Sequence, residues 1–154
     1  VPYVDNLPAF GVYRTVVSGS LTFYAGGHSI LTAHDVTEHN WNSMFNPTTG
    51  MMTAPVKGLY MVTGSFTCTH TSLNHFDLAF ARNGQNMTEP SIVVDRATTW
   101  AIGSAWMGES LSLMMRLNAC DAVWSGLWYS NVVNTTLTGV FMRYSFNAYL
   151  VKRI

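Results

Sequence analysis

Between Leu59 and Thr69 the side chains alternate with a period of two. Tyr60, Val62, Phe66 and Cys68 fall on one face, and Thr63, Ser65, Thr67 and Thr69 on the other. An extended strand turns successive side chains to opposite faces, whereas a helix would scatter both sets around its surface. The segment is therefore committed to a strand buried on one side. Leu111, Leu113, Met115 and Leu117 repeat the rhythm, so Ser110–Leu117 reads as a strand although Leu and Met favour helices.

Further strand-like segments are Phe10–Val17, Thr22–Tyr24, Ser43–Phe45, Met51–Ala54, Phe76–Ala81, Ser91–Val94, Thr98–Met107, Ala122–Tyr129 and Thr136–Tyr149. Turn signals separate them: Gly26-Gly27, Asn46-Pro47-Thr48-Thr49-Gly50, Pro55 with Gly58, and Arg82-Asn83-Gly84. Asn83-Gly84 supplies the positive backbone angles of a tight hairpin. No linker, repeat or low-complexity stretch divides residues 1–154, which read as one all-β domain, a sandwich, jelly roll or barrel of about ten antiparallel strands.

Composition narrows the function. Charged residues make up 10% of the chain, against roughly 25% in average soluble proteins. Eight basic and eight acidic side chains cancel, which argues against nucleic acid as a partner. With 48% hydrophobic and 13% aromatic residues the chain is too apolar to stay disordered. No apolar run approaches the ~18–20 residues that span a bilayer as a helix, so no membrane insertion is expected. Val1–Phe10 does not read as a signal peptide, leaving a mature form with its leader removed or a protein never exported. A neutral surface keeps chains apart poorly, so part of the apolar excess is expected between subunits of a homo-oligomer.

One spacing names a family. His34, five residues, Asn40, four residues, Phe45, six residues, Met52, five residues, Gly58, one residue and Tyr60 resembles the signature of the complement C1q globular domain, part of the TNF-like jelly-roll group. The family has Phe where this chain has His34 and Met52; the other four positions fit. Arg82-Asn83-Gly84, Gly103-Ser104-Ala105 and Thr136-Leu137-Thr138-Gly139-Val140-Phe141 resemble later family motifs, in order. The resemblance covers roughly Pro8 to Tyr144, and Ser145–Ile154 reads as a C-terminal extension past the usual final strand. The acidic Gly-Asp turn expected after Met107 is missing, and these residues hold no collagen-like repeat.

The resemblance implies a C1q/TNF-like jelly roll assembling as a homotrimer around an apolar axis. Tyr60, Phe66, Phe141 and Tyr144 are expected in the sandwich core or at that axis, and Gly58 and Gly139 where strands bend or approach closely. It also implies a secreted, extracellular recognition protein. Such a protein would bind carbohydrate or other surface ligands multivalently, in the lectin-like manner of innate immune recognition. The alternatives are a structural or trimerising module of a secreted matrix or storage protein, and a TNF-like receptor-binding ligand.

Side-chain chemistry points away from an enzyme: neither Gly-x-Ser-x-Gly nor His-Glu-x-x-His occurs. His34, Asp35, Glu38 and His39 have the side chains of a metal site, but on a loop their spacing fixes no geometry. They read as ordinary loop or core residues, and no metal ligand is assigned. Some family members bind calcium, yet Asp77, Asp95 and Asp121 are too scattered to form a calcium loop by spacing. No other cofactor is expected. Trp100, Trp106, Trp124, Trp128 and Tyr129 are the candidates for stacking on a sugar, because an aromatic ring offers a flat apolar face with a polar tip. The expected alternative for most of them is the core or a subunit interface. Asn74, His75, Arg96, Asn118, Asp121 and Asn131 are candidate polar contacts around them. Asn86-Met87-Thr88 and Asn134-Thr135-Thr136 are sequons, so Asn86 and Asn134 are expected glycosylation sites if the chain is exported. Cys68 and Cys120 read as free thiols with Cys68 buried; a single bridge is the alternative. The family topology would put them at opposite ends of neighbouring strands, beyond the ~7 Å reach of a disulfide.

Overall fold

The computed structural model describes residues 7–23, 28–69, 75–83, 93–100, 106–128 and 135–154. Among the described residues there are eleven strands: β1 (Ala9–Phe23), β2 (His28–Ile30), β3 (Val36–Trp41), β4 (Phe45–Asn46), β5 (Met51–Thr53), β6 (Gly58–Thr69), β7 (His75–Arg82), β8 (Val93–Trp100), β9 (Met107–Leu117), β10 (Ala122–Trp128) and β11 (Thr135–Arg153). They form two antiparallel sheets. One has five strands in the order β3-β1-β11-β6-β9. The other runs β4-β5-β10-β7-β8, with β2 beside β10.

The alternation that opened the sequence analysis is realised in β6, whose burial alternates residue by residue along its length. Its inward Phe66 stacks on Tyr144 of β11 at 6.0 Å. Phe10 stacks on Phe45 at 5.1 Å and meets Phe146 edge-on at 5.0 Å. Phe80 approaches Phe146 at 5.9 Å, joining the two sheets through one aromatic cluster. Tyr60 is fully buried, yet its hydroxyl donates to the Val56 carbonyl at 2.7 Å, so its polar end is satisfied.

Three sequence expectations change. Ser145–Arg153 is the second half of β11, not an extension: Ser145 pairs with Tyr13 and Ser65, and Tyr149 with Ala9 and Met61. The alternating burial of Tyr144, Phe146, Ala148 and Leu150 explains the continuity, because each inward position carries an apolar side chain. Ser91–Val94 and Thr98–Met107 are expected as two strands; among the described residues one strand, β8, spans Val93–Trp100, and Met107 opens β9. The hairpin expected at Asn83-Gly84 lies partly outside the described residues, which end at Asn83 there. The described ladder of β7 and β8 ends at Ala81 opposite Val93. Asn83 does take a positive φ of 50°, but its carboxamide is committed elsewhere, donating to Asp121 and accepting from the Ala122 N–H. Finally, the segment carrying Glu38 and His39 is strand β3, where the sequence reads as a loop. Tertiary pairing with β1 overrides its polar composition.

Candidate functional site

In an antiparallel ladder, paired residues point to the same face. The outward face of the five-stranded sheet can therefore be read row by row. At one end the register runs Trp41, Ala9, Tyr149, Met61, Met114 across all five strands. Trp41 is 53% exposed, Tyr149 51% and Met114 42%, and Val151 stands exposed beside them. The middle rows are small and polar. Asn147 donates to the Thr63 hydroxyl at 3.4 Å, and the Ser65 and Ser145 hydroxyls share a hydrogen bond at 2.7 Å. A shallow depression of about 160 Å³ lies over this band, lined by Tyr13, Arg14, Ser65, Arg143, Tyr144 and Ser145. Beyond it comes Phe141, 49% exposed opposite Thr69. Phe141, expected in the core or at a subunit axis, is thus excluded from the core because its strand parity turns it outward.

The candidate ligand residues divide between the two ends of the sandwich. His75 and Trp100 are direct cross-strand partners, and Trp128 pairs with Asp77 on the other side of β7. Trp106, 52% exposed, precedes β9 at this same end, where Met107 pairs with Cys68. Trp128 is half-buried. The side chains of His75, Arg96 and Trp100 lie outside the described residues, as do Asn74, Tyr129, Asn131 and both sequon asparagines, Asn86 and Asn134. Trp124 is half-buried on β10 near the opposite end, where it pairs with Ala81 and Met51.

Asp121 belongs to that opposite end, apart from the Trp106 group. Its carboxylate accepts from Asn83 Nδ2 at 2.8 Å and from the Asn118 N–H at 2.9 Å. These bonds hold its pKa below the usual carboxylate range, the Asn83 contact contributing most. The cluster joins the β9–β10 turn to the end of β7. Cys120 in this turn is exposed with φ 70°, while Cys68 is buried; both thiols are free. Leu117 pairs with Gly58 and Met107 with Cys68, so the two cysteines flank opposite ends of the β6–β9 ladder.

His34, read from the sequence as a loop or core residue, packs as a core one. Its ring packs edge-on against Phe45 at 5.2 Å and Tyr144 at 5.0 Å. His39 instead lies beside Trp41 at 5.1 Å, and its ring approaches the Gly11 backbone. Among the described residues no group of three or more His, Cys, Asp or Glu could hold a metal ion. The pair of unmatched family anchors carried the available signal, since a histidine in a phenylalanine position implies an apolar setting.

Comparison with known proteins places this architecture. The globular domain of the zebrafish complement 1qA protein superposes with a TM-score of 0.69 at 17% identity, covering 96% of this chain and 99% of that one. Eiger TNF from S. frugiperda gives 0.60 at 10% identity, covering 97% and 95%. Murine APRIL gives 0.51 at 11% identity, covering 90% and 97%. At such identities the likeness is one of fold. No curated protein sequence matches. No helix among the described residues is long and apolar enough to cross a membrane. The profile of the C1q domain matches residues 17–151, and together with the two-sheet topology it establishes that the chain belongs to the C1q domain family, within the C1q/TNF-like fold.

Proposed function

We propose that the chain is a secreted recognition module that works as a homotrimer and binds carbohydrate or another surface ligand multivalently. The observation that carries the assembly is the outward row Trp41–Ala9–Tyr149–Met61–Met114, an apolar stripe on a chain with few charges to oppose contact. Domains of this family generally act as recognition or structural modules and typically trimerise, which supports the reading. Burying one Tyr- or Met-sized side chain contributes ~1.5–3 kcal/mol. A few such residues per subunit offset the entropy of association. Three sites on one rigid body then gain avidity through effective concentration. Trp106, exposed at the loop end near β7 and β10, is the side chain best placed to stack on a sugar ring.

Sedimentation equilibrium at micromolar concentration is expected to give three times the 17.1 kDa chain mass. Tyr149→Arg should weaken association at least tenfold while leaving the denaturation midpoint of the subunit nearly unchanged. A wild-type monomer under these conditions refutes the assembly. A glycan array probed with the trimer tests the ligand: binding lost in Trp106→Ala supports the lectin arm. No glycan above background refutes it and favours the structural, trimerising role.

A further inference from the structure

His34 occupies a position where the family carries phenylalanine, and its surroundings are those of an apolar side chain. Both ring nitrogens are sealed from water and neither has a hydrogen-bond partner. The ring fills the corner between Phe45 of β4 and Tyr144 of β11, meeting both edge-on. Phe45 is in turn stacked on Phe10, so the corner is continuous with the main core.

The charged and titratable groups around it are few. From β1 comes Arg14, whose guanidinium lies 5.9 Å from the Tyr144 ring centroid and donates to the Ala33 carbonyl and the Tyr144 hydroxyl. From β11 comes the Tyr144 hydroxyl itself; β4 contributes only the apolar Phe45. From the segment before β3 comes Asp35, whose carboxylate accepts from the Thr15 N–H at 3.0 Å and its hydroxyl at 2.6 Å. Arg14 opposes a positive charge on the ring, and Asp35 and the Thr32 backbone favour one. Burial outweighs them all, pulling the His34 pKa down from 6.5 to about 4.

We propose that His34 is an acid-sensitive latch: the neutral ring closes the corner between the two sheets, and its protonation expels the ring and frees residues 31–35 and edge strand β3 from β1. A charged imidazolium has two N–H donors to satisfy. The Thr32 backbone favours the charged form, but neither ring nitrogen has a hydrogen-bond partner in the closed corner and burial outweighs that help, so the charged ring leaves for water. The segment it anchors is the one leading directly into β3, which is held on one side only, by β1. The Asp35 carboxyl is held below the usual carboxylate range, first by the Thr15 hydroxyl.

The sign follows from linkage. The folded pKa lies below the unfolded one, so closure is fully favoured above ~6.5. It weakens as pH falls, about tenfold per unit, until His34 is protonated in the closed form as well, near pH 4. Between pH 7 and pH 5 the opening equilibrium should rise about 20-fold. Two measurements on the intact chain test this. In the first, the His34 ring is titrated by carbon-13 NMR and should remain neutral down to about pH 5; a midpoint near 6.5 overturns the latch. In the second, amide-exchange protection of residues 36–41, corrected for intrinsic rates, should fall about 20-fold from pH 7 to pH 5 in the wild type. It should change less than threefold in His34→Phe, which restores the family's ring. An equal fall in both proteins overturns the proposal. If His34→Phe does not fold, the ring titration of the wild type decides alone. The ring titration depends on neither trimer formation nor ligand binding.

Discussion

The side chain of Asn40 and the backbone of Phe45 form a closed two-bond pair: Asn40 Nδ2 donates to the Phe45 carbonyl at 2.8 Å, and Oδ1 accepts from the Phe45 N–H at 2.9 Å. A carboxamide here does the work of a neighbouring strand. The reversal it spans passes through Asn42 and Ser43, both with positive φ, which would otherwise leave the Phe45 backbone without partners as it enters the core. This explains why the family spacing couples an asparagine and a phenylalanine five residues apart.

Asn40→Ala removes both bonds and strands a part-buried N–H and C=O, at a cost of about 1–3 kcal/mol. Asn40→Asp keeps the acceptor and loses the donor, so it should fall between the two. Urea denaturation of the three proteins checks the order; equal midpoints for wild type and Asn40→Ala would contradict it.

Gly58 and Gly139 separate two reasons for glycine. A methyl at Gly58 would overlap the Leu150 side chain and stand 2.8 Å from the Lys152 carbonyl, where the β6–β11 register shifts. Gly139 has open space around it but a φ of 69°. Gly139→Ala should therefore cost only the left-handed penalty, about 1–2 kcal/mol. Gly58→Ala should cost more, about 2–3 kcal/mol, because backbone must move. Thermal denaturation of both variants would show the ordering, and a milder Gly58 variant would count against the steric account.

Ser125 presents a fully buried hydroxyl with no hydrogen-bond partner. Its backbone carbonyl is already engaged, accepting from the Leu31 N–H at 3.1 Å. Ser125→Ala deletes only the unsatisfied group and should raise stability, by up to about 1 kcal/mol. A loss above that size in chemical denaturation would mean that the hydroxyl has a partner.

The two thiols should differ sharply in reactivity. Burial pushes the Cys68 thiol up to about 12, so almost no thiolate forms near neutral pH, whereas Cys120 is exposed. Alkylation of the native protein at pH 8 is expected to label Cys120 and to reach Cys68 only on unfolding. Mass spectrometry of the labelled peptides reads this directly; native labelling of Cys68 at a similar rate would show that β6 opens readily.

Much of the architecture was legible in local pattern. The alternation of Leu59–Thr69 and Ser110–Leu117 predicted β6 and β9 because one face of each strand must be apolar when it covers a core. The anchors from His34 to Tyr60 carried the family, since Asn40, Phe45, Gly58 and Tyr60 each answer a local need: a carboxamide bridge, a core ring, a close approach and a capped hydroxyl. The candidate ligand residues were less legible. Aromatic type says nothing about parity or end, so Trp106, Trp124 and Asp121 were grouped by chemistry although they lie at opposite ends of the sandwich.

What the sequence by itself determined was therefore everything set by neighbours along the chain: strand identity, the buried face and the family. What only the tertiary structure decided was set by neighbours across it. β3 is a strand because β1 pairs with it, and Ser145–Arg153 belongs to β11 because β1 and β6 hold it on both sides. His34 lacks polar partners because Phe45 and Tyr144 close around it. The period of two that Leu59–Thr69 shows along one strand becomes part of an apolar stripe only when register aligns Trp41, Tyr149, Met61 and Met114, residues far apart in sequence. Register is a property of paired backbones, and no single segment contains it.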